Sequence, residues 1–132
     1  MKHFSFIFIL LFSSNINAIE LNWEHNYTNA LERAQKEEKI VYLFIGADKC
    51  KHCDRFKKQT LSNKDLIASM RKKYVLLYMS RDRHNIPERF ERFGVPIHYF
   101  LTPKGKIIAQ AQGSREPEGW NDILDEIDLI KE

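Results

Sequence analysis

Two apolar runs of seven residues, IVYLFIG at 40–46 and YVLLYMS at 74–80, interrupt a chain that elsewhere mixes apolar and charged positions. Both are short and rich in β-branched and aromatic residues, a pattern that predicts strands buried on both faces. PIHYFLT at 96–102 and KIIAQAQ at 106–112 flank the turn PKG and predict an antiparallel hairpin. The segments between have helical spacing. Tyr27, Leu31 and Ala34 share one face of a helix over 27–38, with Asn26 or Asn29 to cap it. CKHCDRFKKQTL, residues 50–61, has no breaker and predicts a helix with both cysteines in its first turn and Phe56 and Leu61 facing inward. A second helix follows over 62–73, where Ser62 and Asp65 have the spacing of a capping box. NIPERFERFG, residues 85–94, reads as a short helix ended by Gly94. From Pro117 the residues Trp120, Ile123, Leu124, Ile127 and Ile130 recur at three and four, which predicts an amphipathic last helix. Alternating strands and helices imply an α/β fold in three layers, a central mixed sheet with helices on both faces. The first two strands should run parallel through a right-handed crossover.

The first eighteen residues follow a different pattern. MKHFSFIFILLFSSNINA has a basic start at Lys2, an apolar run from Phe4 to Phe12, small polar residues and then Ala18 at a plausible cleavage position. That is the layout of a secretory signal peptide. The run is much shorter than the roughly 20 residues a membrane anchor needs, so no stable membrane insertion is expected after cleavage. The division expected is a signal peptide over 1–18 and one domain over 19–132, placed in the periplasm or otherwise secreted. Composition agrees with one globular domain: 43% of residues are hydrophobic and 30% charged. The net charge of +3 comes from 21 basic and 18 acidic residues that are interleaved, which argues against a nucleic-acid partner. NYT at 26–28 fits a glycosylation acceptor but is read here as a helix start.

Both cysteines of the chain, Cys50 and Cys53, lie in GADKCKHCDRF directly after the first buried run. Haem attachment would need His after the second cysteine, and Asp54 stands there. A structural zinc takes four ligands; the pair supplies two, and His52, His84 and His98 would have to converge on it. A staple across so short a loop would contribute roughly 2 kcal/mol, little for a domain able to bury its own core. Disulfide exchange fits the placement best. A helix N-terminus offers unsatisfied N–H groups and the positive end of the macrodipole, both of which favour a thiolate at Cys50. Cys50 is expected to stay exposed, with Cys53 one turn further in beneath it. Lys51 and His52 add positive charge when protonated, and His52 is the candidate for tuning the thiolate. His84 and His98 are read as loop and strand residues without chemistry.

A buried strand, then Cys-x-x-Cys, then a helix resembles the thioredoxin superfamily over essentially all of 19–132. Gly94-Val95-Pro96 before the third strand and the TPKGK turn at 102–106 strengthen the likeness. The chain is similar to the small periplasmic thioredoxin-like domains, including the C-terminal domain of the DsbD reductase, while His before the second cysteine and Val before the proline are DsbA-like. The resemblance implies that Pro96 is a cis-proline beside the cysteine pair and that Val95 and Pro96 bind substrate. It implies a thiol-disulfide oxidoreductase with Cys50 as nucleophile and Cys53 as resolving cysteine. Its partners would be cysteine-containing proteins and a redox partner protein; a monomer without cofactor or metal is expected. The sequence departs from thioredoxin in two respects. Lys51 and His52 stand between the cysteines, and Phe44 replaces the buried acid that helps deprotonate the resolving cysteine. The direction of electron flow stays open, as does the alternative of a non-catalytic binding module or a copper or zinc carrier.

Overall fold

A computed structural model describes Ile19 and residues 22–131; the expected signal peptide lies outside these. The elements are α1 (Tyr27–Glu37), β1 (Ile40–Gly46), α2 (Lys51–Gln59), α3 (Lys64–Lys73), β2 (Tyr74–Ser80), β3 (Ile97–Leu101), β4 (Ile107–Gln112) and α4 (Pro117–Lys131). Asn26 caps α1, its side chain accepting the N–H of Asn29 at 2.9 Å. Among the described residues no helix is long and apolar enough to cross a membrane.

The strands form one mixed sheet in the order β2-β1-β3-β4. β1 runs parallel to β2 and antiparallel to β3, and β3 runs antiparallel to β4. Alternation along β1 divides the core in two. Tyr42 and Phe44 join Tyr74, Leu76, Tyr78 and Phe100 on one face, covered by Cys53 and Phe56 of α2, Met70 of α3, and Trp120 and Ile127 of α4. Val41, Leu43 and Ile45 join Val75, Leu77, Met79, Ile97, Tyr99 and Leu101 on the other, covered by Ala30 and Ala34 of α1 and by Ile86 and Phe90. Helices on both faces leave every residue of β1 and β2 buried, which is why neither run alternates with polar residues. The outer edge of β2 is protected as well: Glu24 bridges to Leu77, its N–H donating to the Leu76 carbonyl.

Three local expectations are corrected. Residues 85–94 form turns rather than a helix. Pro87 has no N–H to give, and the backbone groups of the segment are met by side chains instead. Arg92 donates to the Ile86 carbonyl, Glu91 Oε1 accepts the N–H groups of Arg92 and Phe93, and the Tyr99 hydroxyl accepts the N–H of Glu91. The cap of α3 is Asn63, which accepts the N–H of Leu66 at 3.1 Å; Ser62 is engaged with the Lys58 carbonyl of α2. Ile130 is exposed, since the sheet-facing stripe of α4 ends at Ile127.

One polar side chain is sealed in the layer beneath α2. His98 is fully buried, and its Nε2 lies 2.9 Å from the Gly113 carbonyl, which can only accept. Nε2 therefore carries the proton, and Nδ1 accepts from the Tyr42 hydroxyl at 2.7 Å. Phe56 and Trp120 pack on the ring at centroid distances of 4.8 and 4.9 Å. Burial pushes the imidazole down to about 4, against a smaller upward pull from the Gly113 carbonyl.

Two outcomes follow from this core. Unfolded chains protonate His98 near pH 6.5 while the fold resists, so stability should fall as pH drops from about 6.5 to about 4, by roughly 3 kcal/mol from this ring alone. Urea titrations across that range should show the slope, and His98→Leu should remove that part of it at the cost of lower stability at pH 7. Gly46 lies against Tyr78: an added Cβ would stand 3.0 Å from its ring edge and its hydroxyl oxygen. The ring is fully buried, so it cannot retreat. Gly46→Ala should cost about 1–3 kcal/mol by overpacking, read as a lower urea midpoint; an unchanged midpoint would mean that Tyr78 has room to move.

Candidate functional site

β1 ends at Gly46, and the chain turns through Ala47–Lys49 into α2 with Cys50 as its N-cap. Cys50 has extended backbone angles (φ −142°, ψ 101°), as an N-cap requires. Its Sγ accepts the N–H of Cys53 at 3.1 Å, and its carbonyl accepts the N–H of Asp54 at 3.0 Å. The sulfur thus takes the place a Ser or Asp oxygen holds at an ordinary cap, on one of the otherwise unmatched N–H groups. Cys50 and Cys53 are joined as a disulfide, with Cα atoms 5.2 Å apart. Cys50 keeps 9% of its surface accessible and Cys53 none. Cys53 lies deeper than Cys50 as expected, but the expectation that Cys50 stays exposed is corrected: Cys50 is buried, because the capping geometry folds its side chain back over the first turn.

The remaining expected site residues divide clearly. Pro96 is buried, the Val95–Pro96 bond is cis, and the Pro96 carbonyl accepts the N–H of Gly113 at 2.8 Å. Val95 packs against the cluster that holds both cysteines. His52 is exposed on the first turn of α2. His52, His84 and His98 do not converge, and among the described residues no group of three or more His, Cys, Asp or Glu is placed to hold a metal ion.

The loop before Cys50 is fixed by a polar clamp that the sequence reading missed. Asp48 Oδ1 accepts from Arg83 Nε at 2.6 Å and from the buried Ser80 hydroxyl at 2.9 Å, while the Asp48 N–H donates to Asp82 at 2.7 Å. The bonds from Arg83 and Ser80 hold the Asp48 carboxyl below the usual carboxylate range. Asp48 is therefore an anion committed to shaping the loop. His84 belongs to the same clamp: its Nδ1 accepts the Ser80 N–H at 2.8 Å, and its ring stacks on His25 at 5.3 Å.

Beneath α2 three residues stand in one row across the sheet, because Phe44 is the register partner of both Tyr78 and His98. Phe44 meets Phe56 edge-on at 5.5 Å and Tyr78 at 5.0 Å. No carboxylate stands in this row. Period-two alternation along 96–102 places His98 with Phe100 on the buried face, and that was the available signal for it.

Comparison with known proteins agrees with this architecture. A family model described as thioredoxin-like matches residues 22–103. An uncharacterized protein of Archaeoglobus fulgidus is 29% identical over 65 residues, 49% of this chain and 51% of that one; the chain spans about half the length of this curated relative. Among solved structures, a thioredoxin from Thermus thermophilus superposes with a TM-score of 0.66 at 22% identity, over 81% of this chain and 87% of that one. The oxidised DsbD C-terminal domain of Neisseria meningitidis gives 0.58 at 19% identity, over 78% and 97%. The family match spans well over half of the chain, and with its sheet order and capped cysteine pair the protein belongs to the thioredoxin-like family.

Proposed function

We propose that the protein is an exported thiol-disulfide oxidoreductase that exchanges disulfides with cysteine-containing proteins through Cys50 and Cys53. The observation that carries this reading is the capped sulfur: Cys50 Sγ accepts a helix N–H at the mouth of α2, with 9% of the residue's surface accessible, while Cys53 is sealed behind it. Opening the disulfide leaves negative charge on Cys50 where an N–H group and the macrodipole are already aimed at it. Attack of the Cys50 thiolate on a partner disulfide expels one partner thiolate and gives a mixed disulfide. Cys53 thiolate then attacks Cys50, re-forming the internal disulfide and releasing the second partner thiolate. Both steps run backward when the partner is the reductant, so the relative potentials of the pair and its partner set the direction.

Val95 and Pro96 would seat the partner. A proline immediately before β3 withholds an N–H, and the half-buried Val95 beside it would offer backbone to an extended chain. His52 would add positive charge at the helix mouth when protonated. Export rests on the signal-peptide pattern of residues 1–18, and it places the pair where disulfides persist. The DsbD C-terminal domain named above, similar in fold, was solved in its oxidised form.

Reduction of insulin by dithiothreitol should be accelerated by the native protein and lost in both Cys50→Ser and Cys53→Ser. Cys53→Ser alone should accumulate mixed disulfides with cellular proteins, visible as reductant-sensitive adducts on gels. Turnover retained in Cys50→Ser would refute the assignment, and no turnover in the native protein would favour a binding module. Expression in a bacterial host should yield periplasmic protein shortened near Ala18; full-length protein retained in the cytosol would refute export.

A further inference from the structure

The row beneath α2 leaves a chemical question. Cys53 must lose its proton before it can resolve a mixed disulfide, yet Phe44 offers no base and His98 is fully committed between Tyr42 and Gly113. Asp48 is held by Arg83 and Ser80. One turn further along Cys53's own helix the charged residue is Lys57. It lies four residues on, one turn along the same face, which puts the two Cβ atoms about 5–6 Å apart.

Lys57 is turned inward. Its Nζ lies 3.2 Å from the Tyr78 hydroxyl oxygen and 4.3 Å from the centre of the Tyr78 ring, with the Phe44 ring at 5.9 Å. Lys58, the next residue, is exposed. A lysine stem ordinarily carries its ammonium out to water. This one lays it over two rings of the layer that packs against Cys53, and their π faces hold a cation there. Tyr78 is itself fixed, fully buried with its hydroxyl against Gly46.

We propose that Lys57 is a positioning residue that ionises Cys53: Tyr78 and Phe44 hold its ammonium where it stabilises the Cys53 thiolate once the disulfide is open. The proposal rests on the exchange chemistry above. Cys53 gives its proton to water, its thiolate attacks Cys50 Sγ, the Cys50–partner S–S bond breaks as the Cys50–Cys53 bond forms, and the partner leaves as a thiolate that takes a proton from water. Lys57 stays protonated throughout. Among the described residues, the other titratable or charged groups on the elements that pack about Cys53 are the exposed Lys51, His52, Asp54 and Arg55 on α2, the Asp48–Arg83 pair, Tyr78 on β2, neutral His98 on β3 and half-buried Arg115 before α4.

The test uses Cys50→Ser protein, in which Cys53 is the only thiol, and follows thiolate absorbance against pH. Lys57→Met should raise the Cys53 midpoint by about one unit or more, as loss of a nearby opposite charge does. Lys57→Arg should keep it near the parent value. Tyr78→Phe, which leaves the lysine but removes its hydroxyl partner, should give a smaller rise. In the two-cysteine protein, Lys57→Met should slow resolution of a mixed disulfide about tenfold at pH 7, and the deficit should vanish at high pH. An unchanged midpoint in Lys57→Met, or equal shifts in Lys57→Met and Lys57→Arg, would overturn the proposal. Tyr78→Phe decides the matter the same way should Lys57→Met fail to fold. The titration needs no turnover, so failure of the native protein to reduce insulin would strike the function and leave this result readable.

Discussion

Burial of β1 on both faces is the constraint from which the site follows. The strand is flanked by β2 and β3 and covered above and below, so its direction and end point are fixed by two core clusters. It stops at Gly46, whose carbonyl accepts the Arg81 N–H, and only three residues separate it from Cys50. The chain therefore delivers Cys50 to one place: the mouth of α2, with Sγ on the Cys53 N–H. A core that positions one helix end with this certainty gives a sulfur a defined electrostatic setting.

Charge around the pair is arranged with the same economy. Among the described residues no carboxylate stands in the row beneath Cys53, and Asp48, the one acid in the loop preceding Cys50, is neutralised by Arg83. The row Tyr78–Phe44–His98 presents aromatic surface to α2 in its place. His98 completes that surface as a neutral ring, both nitrogens matched by partners inside the core, as a buried polar group must be. Positive charge enters from the helix side through Lys57, turned in over Tyr78. A low-dielectric layer with a cation at its edge is a setting in which a thiolate is stabilised.

Much of this was legible in the sequence, and the limits have physical causes. The runs 40–46 and 74–80 announce buried strands because a residue enclosed on both sides leaves no polar alternation. The cysteine spacing, read with the strand before it, located the helix mouth, and Phe44 was recognised as lacking the expected acid. Residues 85–94 misled because their apolar spacing suits a helix, whereas side-chain bonds from Arg92, Glu91 and Tyr99 take up their backbone groups in place of a helical ladder. Ser62 misled because two potential caps stand side by side and the end of α2 claimed it. The clamp on Asp48 joins residues more than thirty positions apart, and no local pattern encodes it. The inward turn of Lys57 depends on the neighbouring strand, and from sequence it reads as one more solvated lysine.

The central claim is that this disulfide is an exchanging pair rather than a fixed staple, and its equilibrium reduction potential tests that most directly. Equilibration of the native protein with glutathione mixtures, read by thiol alkylation, should show reversible reduction with a potential above about −300 mV, as stabilisation of the Cys50 thiolate requires. A couple lying below about −300 mV, oxidised in every glutathione mixture, would place it with structural disulfides and contradict the account.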